Sequence, residues 1–240
     1  MADLRVLPVG EWASALAGFL SARLYEYPAM RLVLPTGDTP AALYAELVET
    51  AGRGEVSFAD AELLLLDEYV GLAPDDPARC DATLRAQLVD RLAVRPRAFH
   101  AVAVDTLAPE AAADAHDAVA AGGLDIALVG LGRNGHIGFN EPGSTSDSPT
   151  RVVPLTPESI AASAGYGAHG RPTRGITLGL RRLLQAREVW LLVTGAHKTE
   201  VLRAALEGPE TPDVPASYLR RHPRLFVFAD EKAAAGASPG

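Results

Sequence analysis

The 240-residue chain has a single cysteine, Cys80, and this scarcity excludes several kinds of protein. One thiol cannot form an intrachain disulfide, and cysteine-based metal sites are excluded with it. Basic residues are also in the minority, with 22 Lys and Arg against 30 Asp and Glu and a net charge of -8. An acidic domain has no electrostatic footprint for nucleic acid or an anionic membrane, although a local pocket can still be positive enough for an anionic substrate.

Long apolar runs are missing as well. None approaches the roughly 20 residues that cross a bilayer, and the first five residues lack the basic-then-apolar layout of a signal peptide. By elimination we expect a cytoplasmic protein with no nucleic-acid or membrane partner. Hydrophobic residues nevertheless make up 48% of the chain, enough for a large core. The length suits a single domain, which we expect at residues 1–231, with a disordered tail at residues 232–240.

Short continuous apolar runs alternate with helical patterns along the chain. Continuous runs, unlike alternating ones, are typical of strands that are covered on both faces. Their alternation with helices predicts an α/β fold, with a doubly wound, mostly parallel sheet flanked by helices in a Rossmann-like arrangement. The predicted strands are Arg31–Leu34, Leu63–Leu66, Asp125–Val129, Val189–Val193 and Leu225–Phe228, and the predicted helices cover residues 10–25, 41–50, 81–92 and 199–206.

The loop after the first predicted strand contains Thr36, Gly37, Asp38 and Thr39. Ligands of doubly wound folds bind at the carboxyl ends of the strands. A glycine turn that leads into a helix presents free N–H groups, which favour phosphate. We expect Thr39 to cap this helix, with Pro40 at its first position. An ordinary strand–helix turn also fits these residues, and the Asp38 carboxylate would repel an anion.

Two adjacent carboxylates, Asp67 and Glu68, follow the four leucines of the second predicted strand. Neighbouring strand residues point to opposite faces, so one of the two can face a site while the other anchors the structure. A carboxylate beside a sugar is a usual base for removing a proton next to a carbonyl. A solvated acidic turn is the alternative interpretation.

The loop after the third predicted strand, residues 130–143, contains five glycines together with Asn134, His136 and Glu141. Glycines permit unusual backbone angles and the close approach of a ligand. A carboxylate that orients a histidine is a recurring acid–base arrangement. The sequence therefore predicts an acid–base site here, and the alternative is a structural loop whose histidine is merely hydrogen-bonded.

Gly130, Gly132 and Gly135 also match the dinucleotide-binding fingerprint. That fingerprint requires a helix directly after it, usually in the first strand–helix unit of a domain. The residues that follow here are not helical and the motif lies in the middle of the chain, so we expect no nicotinamide cofactor.

Lys198 lies where the last predicted helix begins, just after Val189–Val193. A cation in the first turn opposes the helix dipole by ~0.3–1 kcal/mol. An anionic ligand would remove this conflict, so the position favours a binding function. A solvated lysine is the alternative interpretation.

These four segments, in this order, resemble the glucosamine-6-phosphate deaminase family, whose superfamily also contains the 6-phosphogluconolactonases. The family shows a Pro-Thr-Gly-x-Thr-Pro loop, an Asp-Glu-Tyr-Val-Gly-Leu segment and a Gly-His-Ile-x-Phe-Asn-Glu-Pro segment. Here they correspond to residues 35–40, 67–72 and 135–142. The resemblance covers roughly residues 15–230, nearly the whole predicted domain.

The resemblance implies a reaction and roles for individual residues. The family isomerises an amino sugar phosphate to a ketose phosphate and releases ammonia, without a metal or other cofactor. Asp67 would move a proton between C2 and C1 of the sugar, His136 would open the pyranose ring and Glu141 would orient His136, with Asn134 beside them. The residues implied in binding the sugar phosphate are Thr36, Gly37, Asp38, Thr39, Lys198 and Arg174.

Three places depart from the family pattern. Asn134 stands where many members have Asp, and Arg79-Cys80 stands where a Ser-Tyr pair is expected. Residues 163–166 lack the arginine that many members use on the phosphate, and Arg171 or Arg174 could replace it. These departures bear on the identity of the sugar more than on the type of reaction.

Three other functions stay open at this point. They are deamination of another hexosamine phosphate, hydrolysis of a sugar-phosphate lactone, and non-catalytic sensing of a sugar phosphate. The run Phe139-Asn140-Glu141 argues against a lactonase, and the retained carboxylates and histidine argue against a sensor. Assembly into a homo-oligomer is left open as well.

Overall fold

The computed structural model describes residues 2–236 as a seven-stranded sheet flanked by helices, with a small three-stranded sheet beside it. The strands are β1 (Asp3–Leu7), β2 (Arg31–Leu34), β3 (Glu62–Leu65), β4 (Asp67–Val70), β5 (Ala98–His100), β6 (Ile126–Gly130), β7 (Arg151–Pro154), β8 (Arg174–Thr177), β9 (Glu188–Val193) and β10 (Leu225–Asp230). The helices are α1 (Trp12–Glu26), α2 (Asp38–Gly52), α3 (Cys80–Gln87), α4 (Pro109–Ala120), α5 (Pro157–Gly165), α6 (Leu180–Leu183) and α7 (Thr199–Glu207).

The large sheet is parallel and has the order β1-β10-β9-β6-β2-β3-β5. From β2 the chain first moves outward through β3 to β5, and then returns to β6 on the other side of β2. The order therefore reverses between β2 and β6, which is where doubly wound sheets open a crevice for ligands. The predicted fold class is confirmed.

Both faces of the large sheet are covered, which explains the continuous apolar runs. Leu32 and Leu34 of β2 belong to one apolar cluster, which also holds the buried faces of α1 and α2. Val33, between them, belongs to a second cluster on the opposite face, with residues of α6 and α7. Alternate residues of one strand thus enter two separate cores.

The small antiparallel sheet, with the order β4-β8-β7, was not predicted. Four leucines in a row indicated one strand, but β3 ends at Leu65 and β4 begins at Asp67 in the other sheet. The ring of Tyr69 on β4 packs on Phe139, with centroids 5.0 Å apart. The chain therefore changes sheets at Asp67 and brings it towards the glycine-rich loop.

Strand β1 was also missed, because it is an edge strand with charged residues. It pairs only with β10, and Asp3 and Arg5 interrupt its apolar pattern. The Arg5 guanidinium lies over the rings of Phe19 and Phe226, 4.7 and 5.2 Å from their centroids. Packing along its length, rather than a local pattern, holds this strand in the sheet.

The prediction that Thr39 caps α2 is wrong. Helix α2 begins at Asp38, and Gly37 is its N-cap with a φ of 117°, a value that favours glycine. Thr39 therefore lies inside the first turn, where its Oγ1 forms a hydrogen bond with Thr194 Oγ1 at 2.9 Å. Its side chain connects the first turn of α2 to the loop after β9 instead of capping the helix.

The segment predicted as a tail starts at Lys232, but its first part packs on the domain. Residues 231–236 form turns, in which Ala233 is buried and its N–H donates to the Asp230 carboxylate at 2.7 Å. The packed part of the chain thus extends past residue 231, and residues 237–240 of the predicted tail lie outside the described residues. Within residues 2–236, no helix has both the length and the apolarity needed to cross a membrane.

Candidate active site

Three loops at the carboxyl edge of the large sheet meet at the crevice between β2 and β6. The loop after β2 is joined to the loop after β9 by the hydrogen bond between Thr39 and Thr194. The loop after β9 is joined to the loop after β6 by Lys198, whose Nζ donates to Leu131 O at 2.6 Å. The predicted loops therefore converge at one place, as expected for a ligand site in this architecture.

His136 and Glu141 form a hydrogen-bonded pair in the loop after β6. His136 Nδ1 lies 3.0 Å from Glu141 Oε2, so Nδ1 carries the proton and donates, which leaves Nε2 without a carboxylate partner. Asn134 contributes twice: its Nδ2 donates to the same Glu141 oxygen at 3.1 Å, and its Oδ1 accepts from His136 N at 3.2 Å. The ring lies so close to Gly132 that a Cβ there would fall 2.0 Å from it.

The second oxygen of Glu141 is held by helix α5. Thr156, the N-cap of α5, donates from Oγ1 to Glu141 Oε1 at 3.2 Å, and Ser159 Oγ donates to the same atom. Burial alone would raise the pKa of Glu141, but the hydrogen bonds from His136, Ser159 and Asn134 and the charge of His136 outweigh burial and lower its pKa to about 2. Glu141 is therefore ionised near neutral pH, where it can only accept hydrogen bonds.

Asp67 lies at the first position of β4, opposite Thr177 of β8. It is only 6% exposed. A Cβ on Gly138 would come within 2.9 Å of both Asp67 Oδ2 and Thr177 Oγ1, and Gly138 has a φ of 56°. Only glycine allows the loop after β6 to pass this close, so the glycine brings the acid–base loop against the Asp67 carboxylate.

The environment of Asp67 raises the pKa of its carboxyl group. Burial raises its pKa to about 7, the charges of Glu68 and Glu141 act in the same direction, and a hydrogen bond from Cys80 opposes them. A carboxyl group with a pKa near the working pH can both accept and return a proton. Of the two adjacent carboxylates, Asp67 is therefore the candidate for proton transfer.

Glu68 points the other way and anchors helix α3. Its two oxygens accept from the backbone N–H groups of Tyr69, Cys80 and Asp81 at 2.7–3.0 Å. The buried Arg79 guanidinium lies alongside, with Nε 3.4 Å from Glu68 Oε2. Asp67 and Glu68 thus point in opposite directions, as the sequence predicted. Arg79, which departs from the family pattern, places its positive charge beside Glu68.

The start of α2 presents free backbone donors to the crevice. The first N–H groups of a helix have no partner within it, and the positive end of the helix dipole favours an anion there. The buried Tyr44 hydroxyl donates to Pro35 O at 2.6 Å and fixes the loop that precedes the helix. Thr36, also predicted for the site, forms a hydrogen bond with the Cys80 thiol. Burial raises the pKa of this thiol well above its usual value, and the hydrogen bond with Thr36 opposes the rise only in part.

Lys198 supplies positive charge at the same crevice. It lies at the N-cap of α7, as predicted. Burial lowers its pKa to about 8, and the nearby Arg133 acts in the same direction. No carboxylate lies within ion-pair distance of Lys198 among the residues that the structure describes. A bound anion would stabilise the charged form of Lys198 and so offset both its burial and its repulsion by Arg133.

Arg174 and Arg171 are not brought into this cluster. Arg174 is exposed and pairs with Val70 at the end of β8 that lies three residues from Thr177, roughly 10 Å along the strand. Arg171 is exposed in the loop before β8. Contact of either arginine with a bound phosphate stays a prediction.

Sequence reasoning missed Thr156, Ser159, Thr194 and Tyr166. The pattern Thr-Pro-Glu at residues 156–158 is typical of a helix start, so the beginning of α5 was open to prediction. What this start binds was not, because Glu141 is 15 residues away from Thr156 along the chain. Within residues 2–236, no group of three or more His, Cys, Asp or Glu side chains has the arrangement of a metal site.

Comparison with protein families gives a match over nearly the whole chain. Residues 9–227 match the family described as glucosamine-6-phosphate isomerases/6-phosphogluconolactonase. The chain is 41% identical over 237 residues to a glucosamine-6-phosphate deaminase of Rhodopirellula baltica, covering 97% of this chain and 94% of that protein. It is 36% identical to glucosamine-6-phosphate deaminase 2 of Bacillus subtilis, covering 85% of this chain and 84% of that protein.

Solved structures agree with this match. A monomeric glucosamine-6-phosphate deaminase superposes with a TM-score of 0.91 at 31% identity, covering 97% of this chain and 99% of the other. A 6-phosphogluconolactonase from Thermotoga maritima superposes with a TM-score of 0.77, covering 96% and 100%. At 19% identity, the second likeness shows a shared fold and no more.

Proposed function

The chain belongs to the family of glucosamine-6-phosphate isomerases and 6-phosphogluconolactonases, and we propose that it converts glucosamine-6-phosphate and water into fructose-6-phosphate and ammonia. One observation carries the proposal: a buried carboxylate with a pKa of about 7, Asp67, lies against the loop that holds the His136–Glu141 pair. Asp67 can therefore serve as the base that removes a proton from carbon, and His136, oriented by Glu141, can serve as a second proton-transfer group beside it.

The first step is opening of the sugar ring. His136 donates to Glu141 through Nδ1, so Nε2 is the nitrogen that can exchange a proton with substrate. In this step a proton is delivered to the ring oxygen while the C1 hydroxyl loses one, and the C1–O5 bond breaks to give the open-chain aldehyde. Glu141 stays ionised throughout and stabilises the imidazolium whenever it forms.

The second step moves a proton between two carbons. Asp67 takes the proton from C2 of the aldehyde while the carbonyl oxygen O1 gains a proton, which gives an enolamine. Asp67 then returns its proton at C1, which gives the protonated imine of fructose-6-phosphate. Water then adds at C2 and ammonia leaves. The raised pKa of Asp67 supports this assignment, because an ordinary carboxylate would be too weak a base near neutral pH.

The sugar phosphate is held at the crevice between β2 and β6. The start of α2 offers backbone N–H groups from Asp38 and Thr39, and Lys198 offers the charge. A charge-assisted hydrogen bond of this kind contributes about 1.5–3 kcal/mol. The cytoplasm is the location that we propose, on the grounds given by the sequence.

The deciding experiment is an ammonia-release assay on the purified protein, in the presence of a metal chelator and without nucleotide. The substrates are the 6-phosphates of glucosamine, galactosamine and mannosamine, with 6-phosphogluconolactone as the alternative. We expect ammonia from glucosamine-6-phosphate. If folded protein hydrolyses the lactone and releases no ammonia from any hexosamine phosphate, lactone hydrolysis replaces this proposal.

A further inference from the structure

A tyrosine lies beside the crevice between β2 and β6, in the segment where the resemblance implies an arginine in many family members. Tyr166 directly follows α5 and ends residues 163–166, which contain no arginine. Its phenolic oxygen lies 3.4 Å from the position that a Cβ on Gly37 would occupy. Because Gly37 is the N-cap of α2, the hydroxyl stands directly over the start of that helix.

We propose that Tyr166 is a further substrate-binding residue, whose hydroxyl donates a hydrogen bond to the phosphate in place of the missing arginine. This inference rests on the proposed function, because it assumes that the phosphate binds at the start of α2. It assigns Tyr166 to specificity for a phosphorylated sugar and gives it no part in the proton transfers.

The position of the hydroxyl supports this assignment. In the free protein the Asp38 N–H, which has no partner within α2, donates to the phenolic oxygen. The hydroxyl therefore occupies a place that an anion would take. Tyr166 is 40% exposed and follows a short helix, so its ring can turn aside and offer its own O–H to an incoming phosphate.

The protonation of Tyr166 is suited to donation. Burial raises the pKa of its phenol, and the charges of Asp38 and Asp67 act in the same direction. The hydroxyl thus keeps its proton at neutral pH and can donate to a phosphate oxygen. An ionised phenol would repel the phosphate instead.

The charge balance of the crevice explains how a neutral group can serve here. Lys198 is partly buried with Arg133 nearby, and together they provide two positive charges at the crevice. Asp38 lies at the start of α2, with its carboxylate close to Tyr166. An arginine at position 166 would find Asp38 as an ion-pair partner, whereas a tyrosine adds a donor without adding a charge.

The test compares Tyr166→Phe, which removes one oxygen, with the wild-type protein. Binding of inorganic phosphate is measured by calorimetry, and KM and kcat are measured for ammonia release from glucosamine-6-phosphate. Tyr25→Phe, an exposed tyrosine on α1, is the matched control. We expect Tyr166→Phe to raise both the Kd of inorganic phosphate and the KM by roughly tenfold or more, while kcat stays near the wild-type value.

Three results would overturn the assignment. They are an unchanged Kd in Tyr166→Phe, a tighter Kd, or a wild-type protein that binds no inorganic phosphate. A tighter Kd would mean that the hydroxyl only competes with phosphate for the Asp38 N–H. Failure of the proposed function is seen separately, as an absence of ammonia release by the wild-type protein, because phosphate binding is measured without turnover.

Discussion

At the scale of single residues, Asp67 shows how a catalytic carboxylate affects stability. Its pKa in the folded protein is about 7, raised first by burial, whereas an unfolded chain gives an Asp about 3.9. A raised pKa means that the folded state favours the protonated form. The stabilisation is therefore complete below pH ~4 and is lost as the pH rises through ~7.

The change Asp67→Asn should accordingly stabilise the protein at high pH. A pKa difference of this size corresponds to roughly 4 kcal/mol, which is the upper limit of the gain at pH 8.5 relative to pH 4. Urea unfolding at pH 4 and pH 8.5 measures this gain, with the exposed Asp60→Asn as control. A difference between wild type and Asp67→Asn that is the same at both pH values would contradict the pKa of about 7.

Asn134 is the second residue with a testable electrostatic effect. Its Nδ2 donates to Glu141 Oε2, the oxygen that also binds His136 Nδ1. An Asp at 134 would put a second carboxylate beside the imidazole and favour its protonated form. We expect Asn134→Asp to stay active and to move the limb of the pH profile that reports loss of this proton to higher pH.

The shift has to be read from kcat/KM, which reports the free enzyme. Asn134→Leu is the contrasting variant, since it removes both hydrogen bonds and should lower kcat. If the limb stays where it was in Asn134→Asp, then Asn134 serves the conformation of the loop and does not affect the charge of His136.

Ser159 tests how far the orientation of Glu141 matters. It is buried at 3% exposure and donates to Glu141 Oε1. Ser159→Ala should lower kcat more than it changes KM and should alter the pH profile, while Ser159→Thr should restore both. Ser163→Ala is the matched control, because Ser163 lies on the same helix and its hydroxyl donates only to Ile160 O. Equal kinetics for the two alanine variants would show that the Glu141 contact is only structural.

At the scale of elements, Lys198 at the start of α7 destabilises the helix through its dipole but provides positive charge for an anionic ligand. The pKa of Lys198 is about 8 because of burial and the nearby Arg133. Lys198→Ala should weaken binding of inorganic phosphate by about 1.5–3 kcal/mol at pH 7 and slightly stabilise the free protein. Binding by the wild type should weaken between pH 7 and 9, while binding by the variant should change little.

Arg53→Ala provides the control for this series, because Arg53 is exposed at the C-terminal end of α2, the opposite end of that helix from the crevice. Affinity for phosphate that is the same in Lys198→Ala and in the wild type would place Lys198 outside the binding site.

The elements that the sequence predicted are those whose pattern is local. The leucines of β2 and β3 are buried, and so are Trp12, Leu16 and Leu20 of α1. The elements that it missed depend on distant partners: β1 needs β10, and β4 needs β8. Thr39 had the right residue type for a cap, but Gly37, two residues earlier and with a positive φ, is the N-cap of α2 instead.

At the scale of the whole molecule, the site is an assembly of loops that the sheet order brings together. The sequence singled out Asp67, His136 and Glu141 because they lie in segments that follow buried strands, and the resemblance to the family implied their roles. It could not predict that α5 returns to hold Glu141, or that Tyr166 reaches Gly37. These contacts are between residues far apart in the chain, and no local pattern records them.

The central claim is that Asp67 transfers the proton in a deaminating isomerisation. The most direct measurement is the rate of ammonia release from glucosamine-6-phosphate by the wild type, Asp67→Asn and the control Asp60→Asn, all confirmed as folded by urea unfolding. The account predicts normal rates for the wild type and the control, and a kcat that is lower by roughly 10²-fold or more for Asp67→Asn, because an amide cannot accept the C2 proton. A folded Asp67→Asn protein with near-normal kcat would contradict it.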